Sequence, residues 1–368
     1  MNVATLNDAR QRENAQRLAV IDCDIHPAPK SPAALQPWLS QRWRDHMNTF
    51  GAHVRQGLVG QEVHPRMTAR GMRVDSLPKD GPAGSNLELM QRQHLDLNGV
   101  EVAMMIPLGT SVIEERNPHY AAALSHAANE WQIANWITKD KRLRGSVIVP
   151  QEEIETSVKE IDKRAGDSRF RQIIMSPKPL EPLGRKRYWP IYEAACRAKL
   201  PIAFHPVLMG GGHPSTGAGW PTYYMQDHYT FGGLMQNIVA SMVFEGVFEQ
   251  FPDLKLVSVE NGFVWAPNLG WRMDKHFERM RAEVPHLKSK PSEYVRRNLW
   301  FTTQPMEETE NPDHLRDIMS WIGWDRLLFS SDYPHWDFDD PRYAFRMHLT
   351  QQERAMIFRD NAKALYRL

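Results

Sequence analysis

The sequence predicts an α/β fold, a (β/α)8 (TIM) barrel that carries a long insertion after its first strand. Short apolar, β-branched runs recur along the 368 residues and are separated by longer stretches with helical periodicity. That alternation is typical of βα units around a parallel sheet. The runs are almost continuously apolar rather than alternating, as expected for strands that are covered on both faces.

Eight runs are predicted strands of the barrel. In chain order they cover residues 18–24, 101–107, 143–150, 171–176, 200–206, 254–260, 298–303 and 326–332. Amphipathic stretches lie between them, and residues 116–138 and 234–250 show the clearest helical spacing. Eight strands with intervening helices predict one barrel domain over residues 1–368.

One insertion separates the first strand from the helix that leads to the second. Residues 30–87 are rich in Pro, Gly, Arg and Trp, and a loop of this length in a compact domain is usually functional. We expect it to act as a lid or as a subunit contact, and we expect the assembly to be a homodimer. The Gly-rich stretch at 209–221 predicts a second mobile loop near the active site.

The composition excludes several classes of protein. Lys and Arg number 45 against 44 for Asp and Glu, so no basic surface for nucleic acid is predicted. No apolar run approaches the roughly 18 residues of a membrane-spanning helix. Only Cys23 and Cys196 occur, and the N-terminal residues lack the apolar core of a signal peptide. We therefore expect a cytoplasmic protein that acts on a small-molecule substrate, with no nucleic-acid or membrane partner.

Side chains that can bind a metal end several of the predicted strands, where barrel enzymes carry their reactive groups. Asp24 and His26 end the first strand, His205 the fifth, Glu260 the sixth and Asp332 the eighth. Asp24 and His26 are two residues apart, so on an extended strand both point to one face. A divalent cation needs carboxylates and neutral imidazoles that converge from rigid elements. Together the five residues predict a metal site, although each alone would be an ordinary polar strand end.

Six segments follow one another along the chain in a characteristic order: VIDCDIHP, QHLDLNGVEVAMMIP, RYWPIYEAACRAKLPIAFHP, FPDLKLVSVENG, LLFSSDYPHWD and DNAKALYRL. In order and spacing they resemble the amidohydrolase superfamily, and within it amidohydrolase family 2. That branch includes aromatic-acid decarboxylases, aminocarboxymuconate semialdehyde decarboxylases and some lactone hydrolases. The resemblance covers most of the chain and implies a metal-dependent reaction at the mouth of the barrel.

The resemblance also implies metal ligands. In the family an H-x-H or E-x-H pair, a fifth-strand His and an eighth-strand Asp hold the metal, which maps onto Asp24, His26, His205 and Asp332. Position 24 matches by charge only. On the sixth strand this chain has Glu260 where the family usually has His, so Glu260 is expected to bind metal or transfer a proton. Three carboxylates with two imidazoles favour Zn, Mn or Fe as the divalent ion.

Further residues are candidates for contacting the substrate. His335 and Trp336 follow the eighth strand, and Arg185 follows the fourth. Arg185 is a candidate because guanidinium groups suit planar carboxylates. His213 and His228, near the loop after the fifth strand, could reach the barrel mouth, but positions at the surface are expected.

Three reactions fit these residues. The first is hydrolysis of a small organic or aromatic acid, amide or lactone by metal-activated water, with Asp332 and Glu260 as catalytic groups. The second is non-oxidative decarboxylation of an aromatic or unsaturated acid. The third is oxygen chemistry at a carboxylate-rich pair of iron ions, with Glu260 as the bridge. A barrel with an idle site ranks last, because converging polar groups cost stability when they are left uncompensated.

Overall fold

Eight parallel strands form the centre of the computed structural model, which describes residues 19–51, 67–68, 71–110, 112, 115, 117–206 and 219–368. Each strand pairs with the next one along the chain. The strands are β1 Val20–Ile25, β2 Val100–Met105, β3 Leu143–Ile148, β4 Phe170–Met175, β5 Ile202–Phe204, β6 Leu256–Ser258, β7 Leu299–Thr302 and β8 Leu327–Leu328. Each overlaps one of the predicted runs, so the predicted barrel is confirmed.

Hydrogen bonds across one seam bring the two ends of the sheet together. The Asp332 N–H donates to the Asp24 carbonyl (3.1 Å), and the His26 N–H donates to the Tyr333 carbonyl (2.8 Å). Both bonds lie beyond the end of β8, so the segment that follows this short strand completes the barrel. As a result Asp24, His26 and Asp332 lie next to one another at the mouth.

Helices cover the outside of the barrel. The described α-helices are α1 Gln41–Phe50, α2 Leu87–Met90, α3 Pro118–Gln132, α4 Ile154–Arg164, α5 Trp189–Ala198, α6 Tyr224–Tyr229, α7 Phe231–Phe244, α8 Val247–Gln250, α9 Trp265–Met280, α10 Pro291–Asn298, α11 Pro312–Ile322, α12 Gln351–Ala355 and α13 Asn361–Tyr366. None of them is both long and apolar enough to cross a lipid bilayer.

Shorter helical segments extend or connect these elements. The 3₁₀ segments are Pro32–Trp38, Val74–Ser76, Lys186–Tyr188, Arg281–Glu283 and Trp324–Arg326. The π-helical segments are Gln91–Leu95, Ile133–Ile137 and Met356–Asp360. The two stretches with the clearest helical spacing in the sequence therefore correspond to α3 with its π-helical extension, and to α7 with α8.

The start of α3 shows how the sequence sets a helix boundary. Pro118 occupies the first turn, where its missing N–H costs nothing. Asn117 caps the helix, because its side chain accepts a hydrogen bond from the Tyr120 N–H (3.3 Å). Leu124 and Trp131 then lie on the buried face.

Apolar side chains of strands and helices interlock between the barrel and the helical layer. Phe204 of β5, Leu256 of β6, Ile191 of α5 and Met235 of α7 belong to one continuous cluster, and each is fully buried. A fully buried side chain of this kind contributes about 1.5–3 kcal/mol. This packing makes the strands a rigid base for the residues at their carboxyl ends.

The long insertion reaches the barrel mouth where it is described. Met67–Thr68 pairs antiparallel with Met72–Arg73, and this hairpin lies against the segment after β8. The Arg73 N–H donates to the Pro334 carbonyl (3.0 Å), and the Trp336 N–H donates to the Gly71 carbonyl (2.8 Å).

Gly71 is required by this close approach. Its φ is +70°, and a Cβ at this position would lie 3.0 Å from the Tyr224 hydroxyl and 3.3 Å from the Trp336 ring. The insertion therefore touches the mouth, while its role as a lid or subunit contact stays a prediction. The predicted Gly-rich loop falls largely on residues 207–218, which lie outside the described residues, as do 52–66 and 69–70.

Candidate metal centre

The structure brings the five predicted metal-binding residues together in one buried group, which we call the mouth cluster. Asp24, His26, His205, Glu260 and Asp332 each offer one donor atom, and these atoms lie within 4.8 Å of one another. No member is more than 4% exposed. Asp24 lies near the end of β1, and the other four residues follow the ends of β1, β5, β6 and β8.

Two members of the mouth cluster have an unusual backbone conformation. Glu260 has a φ of +55° and Asp332 a φ of +62°, in the left-handed region that costs energy for residues other than glycine. Hydrogen bonds hold both turns. The Glu260 N–H donates to the Thr302 hydroxyl (3.1 Å), and the Asp332 N–H bonds to the seam. Backbone strain of this kind is concentrated at functional sites, and here it occurs at two residues whose side chains belong to the mouth cluster.

His26 is oriented by one ring nitrogen and offers the other. Its Nδ1 lies 2.8 Å from the Ile106 carbonyl, so Nδ1–H is the donor of that hydrogen bond. Its Nε2 lies 2.7 Å from Asp332 Oδ1 and 3.2 Å from Asp24 Oδ1. Burial disfavours the charged ring, but the charges of Asp24 and Asp332 raise the pKa of His26 well above its usual value. A backbone-anchored imidazole facing carboxylates is a common arrangement in metal sites.

Asp24 and His205 carry buried polar atoms that lack hydrogen-bond partners. Neither Asp24 carboxylate oxygen accepts a hydrogen bond, and His205 Nε2 makes none. That nitrogen lies 3.6 Å from Asp24 Oδ2 and 2.9 Å from Glu260 Oε2. Burial lowers the pKa of His205 to about 3, so the ring is neutral. Buried carboxylates and a neutral imidazole without partners are the donors that a cation would satisfy.

The carboxyl groups of the mouth cluster repel one another. Burial raises the pKa of Asp332 well above its usual value, although the hydrogen bond to His26 opposes this shift. Burial and the charge of Asp332 likewise raise the pKa of Glu260. A cation among these groups would favour their ionised forms and so oppose both shifts. The donor set therefore fits a divalent metal ion.

Two neighbours hold the Asp332 carboxylate in place. His335 Nδ1 lies 2.5 Å from Oδ1, and the Gln304 side-chain amide donates to Oδ2 (3.1 Å). Burial lowers the pKa of His335 to about 4, so the neutral ring donates through Nδ1. Its Nε2 is buried without a partner. His335, a predicted substrate-binding residue, therefore contacts the mouth cluster directly.

The other two predicted substrate-binding residues lie farther out. Trp336 is 45% exposed, and its Nε1–H donates to the Tyr224 hydroxyl (2.9 Å), which places it at the rim. Arg185 is exposed at the start of the 3₁₀ segment before α5, where its N–H donates to the Pro182 carbonyl (3.0 Å). Within the described part of the chain, no hydrogen bond or ion pair connects Arg185 with the mouth cluster.

Two further residues lie beside the cluster. His228 was expected at the surface, and this expectation is wrong, because only 17% of its side chain is exposed and its Nε2 lies 3.7 Å from Glu260 Oε1. The same nitrogen lies 3.2 Å from Asp337 Oδ2. Burial disfavours the charged ring, yet Asp337 and Glu260 raise the pKa of His228 to about 9. Sequence analysis did not single out Asp337, although the acid-rich segment DYPHWDFDD is visible there. His213 lies outside the described residues.

The chain is similar to known proteins over nearly its whole length. The family model described as amidohydrolase matches residues 21–368. A gamma-resorcylate decarboxylase from Polaromonas sp. (strain JS666 / ATCC BAA-500) is 23% identical over 286 residues, which make up 74% of this chain and 85% of that protein.

Solved structures share the fold. An amidohydrolase from Mycobacterium avium subsp. paratuberculosis K-10 has a TM-score of 0.72 at 21% identity, covering 96% of this chain and 100% of that one. A 5-carboxyvanillate decarboxylase from Novosphingobium aromaticivorans DSM 12444 has a TM-score of 0.72 at 18% identity, covering 96% and 97%. The latter is complexed with manganese and 4-hydroxy-3-methoxy-5-nitrobenzoic acid. The resemblance carried by the sequence motifs is confirmed, and the chain belongs to the amidohydrolase family.

Proposed function

We propose that this protein is a non-oxidative decarboxylase of an aromatic carboxylic acid, and that Asp24, His26, His205, Glu260 and Asp332 hold the divalent metal ion on which it depends. The observation that carries the proposal is Asp24, whose two buried carboxylate oxygens accept no hydrogen bond among imidazoles and further carboxylates. Buried carboxylates that lack hydrogen-bond donors cost several kcal/mol unless a cation stabilises their charge.

The relatives support both the ion and the reaction. The Polaromonas protein is a gamma-resorcylate decarboxylase, and the Novosphingobium protein is a 5-carboxyvanillate decarboxylase with bound manganese. Manganese is therefore the ion that we propose first, and three carboxylates make a hard donor set that suits it. When bound, the ion would supply positive charge that attracts the substrate carboxylate and stabilises the negative charge developing in the reaction.

Aromatic side chains at the rim suit a planar substrate. The ring centroids of His228 and Trp336 are 6.0 Å apart, and those of Tyr224 and Trp336 are 6.4 Å apart. An aromatic acid would stack on these rings with its carboxylate directed inward. His335 Nε2, buried without a partner, would accept a hydrogen bond from a hydroxyl group of the substrate.

Decarboxylation breaks the bond between a ring carbon and the carboxylate, releases carbon dioxide and forms a C–H bond at the same carbon. The electron pair stays on the ring, so one proton must reach that carbon. We assign this proton transfer to Asp332, because His335 and Gln304 fix the orientation of its carboxyl group. Glu260 is the second catalytic group, and a proton from water restores the acid after each turnover.

Hydrolysis, the first of the three reactions predicted from the sequence, uses the same metal-binding residues with water as the nucleophile. The assigned reactions of the two decarboxylase relatives now favour the second hypothesis. Hydrolysis therefore becomes the alternative outcome of the test. Oxygen chemistry at a pair of iron ions requires a second ion position beside the first.

The test is an assay of Mn²⁺-loaded protein with hydroxybenzoic acids that include γ-resorcylate and 5-carboxyvanillate. We expect equimolar carbon dioxide and ring product without oxygen consumption, loss of activity with a chelator, and recovery with Mn²⁺. Asp80→Asn is the matched control, because this exposed carboxylate pairs with Lys30 away from the mouth cluster, and it should keep full activity. Turnover of amide or lactone probes without carbon dioxide from any acid would overturn the proposal in favour of hydrolysis.

A further inference from the structure

Three arginines lie together on the face of the barrel opposite the mouth cluster. Arg144 is the second residue of β3 and Arg171 is the second residue of β4, so both side chains start from the amino ends of adjacent strands. Arg367 follows α13, and its Nη2 donates to the carbonyl of Lys199 (2.5 Å), ahead of β5. We call Arg144, Arg171 and Arg367 the arginine cluster.

A β-bulge sets the position of Arg171. Gly145 of β3 pairs with Phe170 of β4, but the next pair joins Ser146 to Gln172. Arg171 is therefore an extra residue of β4 that has no partner residue on β3. Bulges redirect side chains and are over-represented beside functional sites. Here the bulge adds a guanidinium group to the amino-terminal face of the barrel.

The side chain of Arg171 has no partner among the described residues. It makes no hydrogen bond and no ion pair with them, and its Nε is shielded from solvent. Asp167 does not fill this role, because Arg169 already binds both of its oxygens, through Nε to Oδ1 (2.9 Å) and through Nη2 to Oδ2 (2.8 Å). A partly buried guanidinium without an acceptor costs free energy.

Arg144 and Arg367 add positive charge but no acceptor. Arg144 Nη1 donates to the carbonyls of Lys141 (2.7 Å) and Leu143 (2.9 Å), whereas its Nε is buried without a partner. Neither arginine forms an ion pair with a carboxylate in the described part of the chain. Burial lowers the pKa of Arg171, and the charges of Arg144 and Arg367 lower it further. Arg171 is therefore repelled by its two neighbours and is not paired with an anion of the protein.

We propose that the arginine cluster binds a multiply charged oxyanion of the phosphate class. Such an anion would accept charge-assisted hydrogen bonds from Arg171 and from the remaining nitrogens of Arg144, and its charge would offset the repulsion. Arginine suits this ligand because its planar fork binds two oxygens of one phosphate group. Three positive charges favour an anion with two negative charges over a single carboxylate.

This site is independent of the proposed decarboxylase site. The arginine cluster lies at the amino ends of the strands, whereas the mouth cluster lies at their carboxyl ends. The inference therefore goes beyond the proposed function, and either can fail without the other.

Isothermal titration calorimetry of the full-length protein with inorganic phosphate, at constant ionic strength, tests the inference. We expect saturable binding by the wild type and about tenfold or weaker affinity in Arg171→Gln, because hydrogen bonds to charged groups are strong. Arg367→Gln is a second variant at an exposed position and should also weaken binding. Arg197→Gln is the matched control, since it removes the same charge from an exposed guanidinium that pairs with Asp162, and its affinity should equal that of the wild type.

Thermal unfolding gives a second measurement. Without phosphate, Arg171→Gln should unfold at the same temperature as the wild type or higher, because a repelled charge has been removed. Phosphate should raise the Tm of the wild type and of Arg197→Gln, but not that of Arg171→Gln.

Three results would overturn the proposal. The first is no phosphate binding by the wild type, and the second is equal binding by the wild type and Arg171→Gln, which would place the anion elsewhere, such as at a metal ion in the mouth cluster. The third is a lower Tm of Arg171→Gln in the absence of phosphate, which would make Arg171 a structural residue. Benzoate is the comparison ligand, and tighter binding of benzoate than of phosphate that requires Arg171 would overturn the assigned class of ligand.

Discussion

Asp22 and Asp24 lie two residues apart on β1 and are both fully buried, yet they differ in how many hydrogen bonds their carboxylates accept. Asp22 accepts hydrogen bonds from the Ser331 N–H (2.9 Å) and hydroxyl (2.5 Å), and one of its oxygens lies 2.6 Å from His94 Nε2. It also accepts from the Asp24 N–H (3.1 Å). Neither carboxylate oxygen of Asp24 accepts any hydrogen bond.

The difference separates two uses of a buried charge. Asp22 connects β1 to the segment after β8, so its charge is balanced by the fold that it holds together. Asp24 adds to the charge of the mouth cluster, where its carboxylate faces the imidazoles of His26 (3.2 Å) and His205 (3.6 Å) but accepts no hydrogen bond of good geometry. A buried carboxylate with a full set of donors stabilises the native state, whereas one without donors is maintained at a cost that a bound ligand must offset. Substituting each aspartate separately distinguishes these two roles.

The largest effect is expected from Asp24→Asn. Removing a proposed metal ligand should reduce kcat by about 10³-fold or more and lower the bound metal. The metal-free variant should be at least as stable as the metal-free wild type, because a buried carboxylate without hydrogen-bond donors has been removed. Activity, metal content and urea unfolding with and without a chelator check these outcomes. A variant that retains metal and activity would show that Asp24 is not a ligand.

Asp22→Asn should have the opposite profile. Removing a charge whose partners stay buried costs about 3–5 kcal/mol of unfolding free energy, and urea unfolding of the metal-free protein measures it. Ser331→Ala is the milder variant, since it removes one hydroxyl donor and should cost about 1 kcal/mol. If Asp22→Asn unfolds at the same urea concentration as the wild type, the contrast between the two aspartates does not hold.

Glu160 is a third buried carboxylate, and its charge is balanced by a cationic side chain of the protein. Glu160 accepts hydrogen bonds from Arg164 Nη2 (2.8 Å) and from the Asn129 side-chain amide (3.1 Å). Burial alone would raise the pKa of Glu160, but the bonds from His126 and Arg164 lower it to about 2. Since this pKa lies below the unfolded value of about 4.3, ionised Glu160 stabilises the native state above that pH. The contribution is lost as the pH falls through about 4 toward 2.

The measurement is the free energy of unfolding of the wild type and Glu160→Gln as a function of pH. The wild type should lose up to roughly 3 kcal/mol more than the variant between about pH 5 and about pH 2, because only the wild type takes up this proton on unfolding. Parallel curves would show that Arg164 does not lower the pKa of Glu160 in the native state.

The fold and the mouth cluster were accessible from the sequence because both follow from strand positions. Continuous apolar runs identify the strands, and the carboxyl ends of parallel strands meet at one mouth, so Asp24, His205 and Asp332 were expected together. The two residues beside the mouth cluster were not accessible in this way. His228 lies on α6 and Asp337 lies in the loop after β8, and their positions depend on loop conformation, for which the sequence has no periodic signal.

Arg185 shows where prediction of site residues from strand ends fails. It follows β4 in the chain but lies far beyond Met175, the last residue of that strand, so the strand end does not determine its position. The structural role of Asp22 was missed because the residue lies within β1, and only residues at the ends of strands were considered as candidates. Residues held directly at the mouth by a strand were therefore placed correctly, whereas Arg185, positioned by a loop, was not.

The smallest effect is expected at the rim, where a hydrogen bond is exposed to water, unlike those of Asp22. Trp336→Phe keeps an aromatic ring but loses the Nε1–H that donates to the Tyr224 hydroxyl. A neutral hydrogen bond contributes about 0.5–1.5 kcal/mol, so KM should rise less than about tenfold while kcat stays near the wild-type value. Steady-state kinetics with the aromatic acid measure both constants.

Tyr224→Phe removes the other half of the same hydrogen bond and is the matched partner of this variant. If the bond orients Trp336 for stacking on the substrate, both single variants should raise KM to a similar extent, and the double variant should add little, because the interaction has already been lost. Additive effects would mean that the two rings contact the substrate independently. A fall in kcat without a change in KM would instead place Trp336 among the groups that act in the transition state.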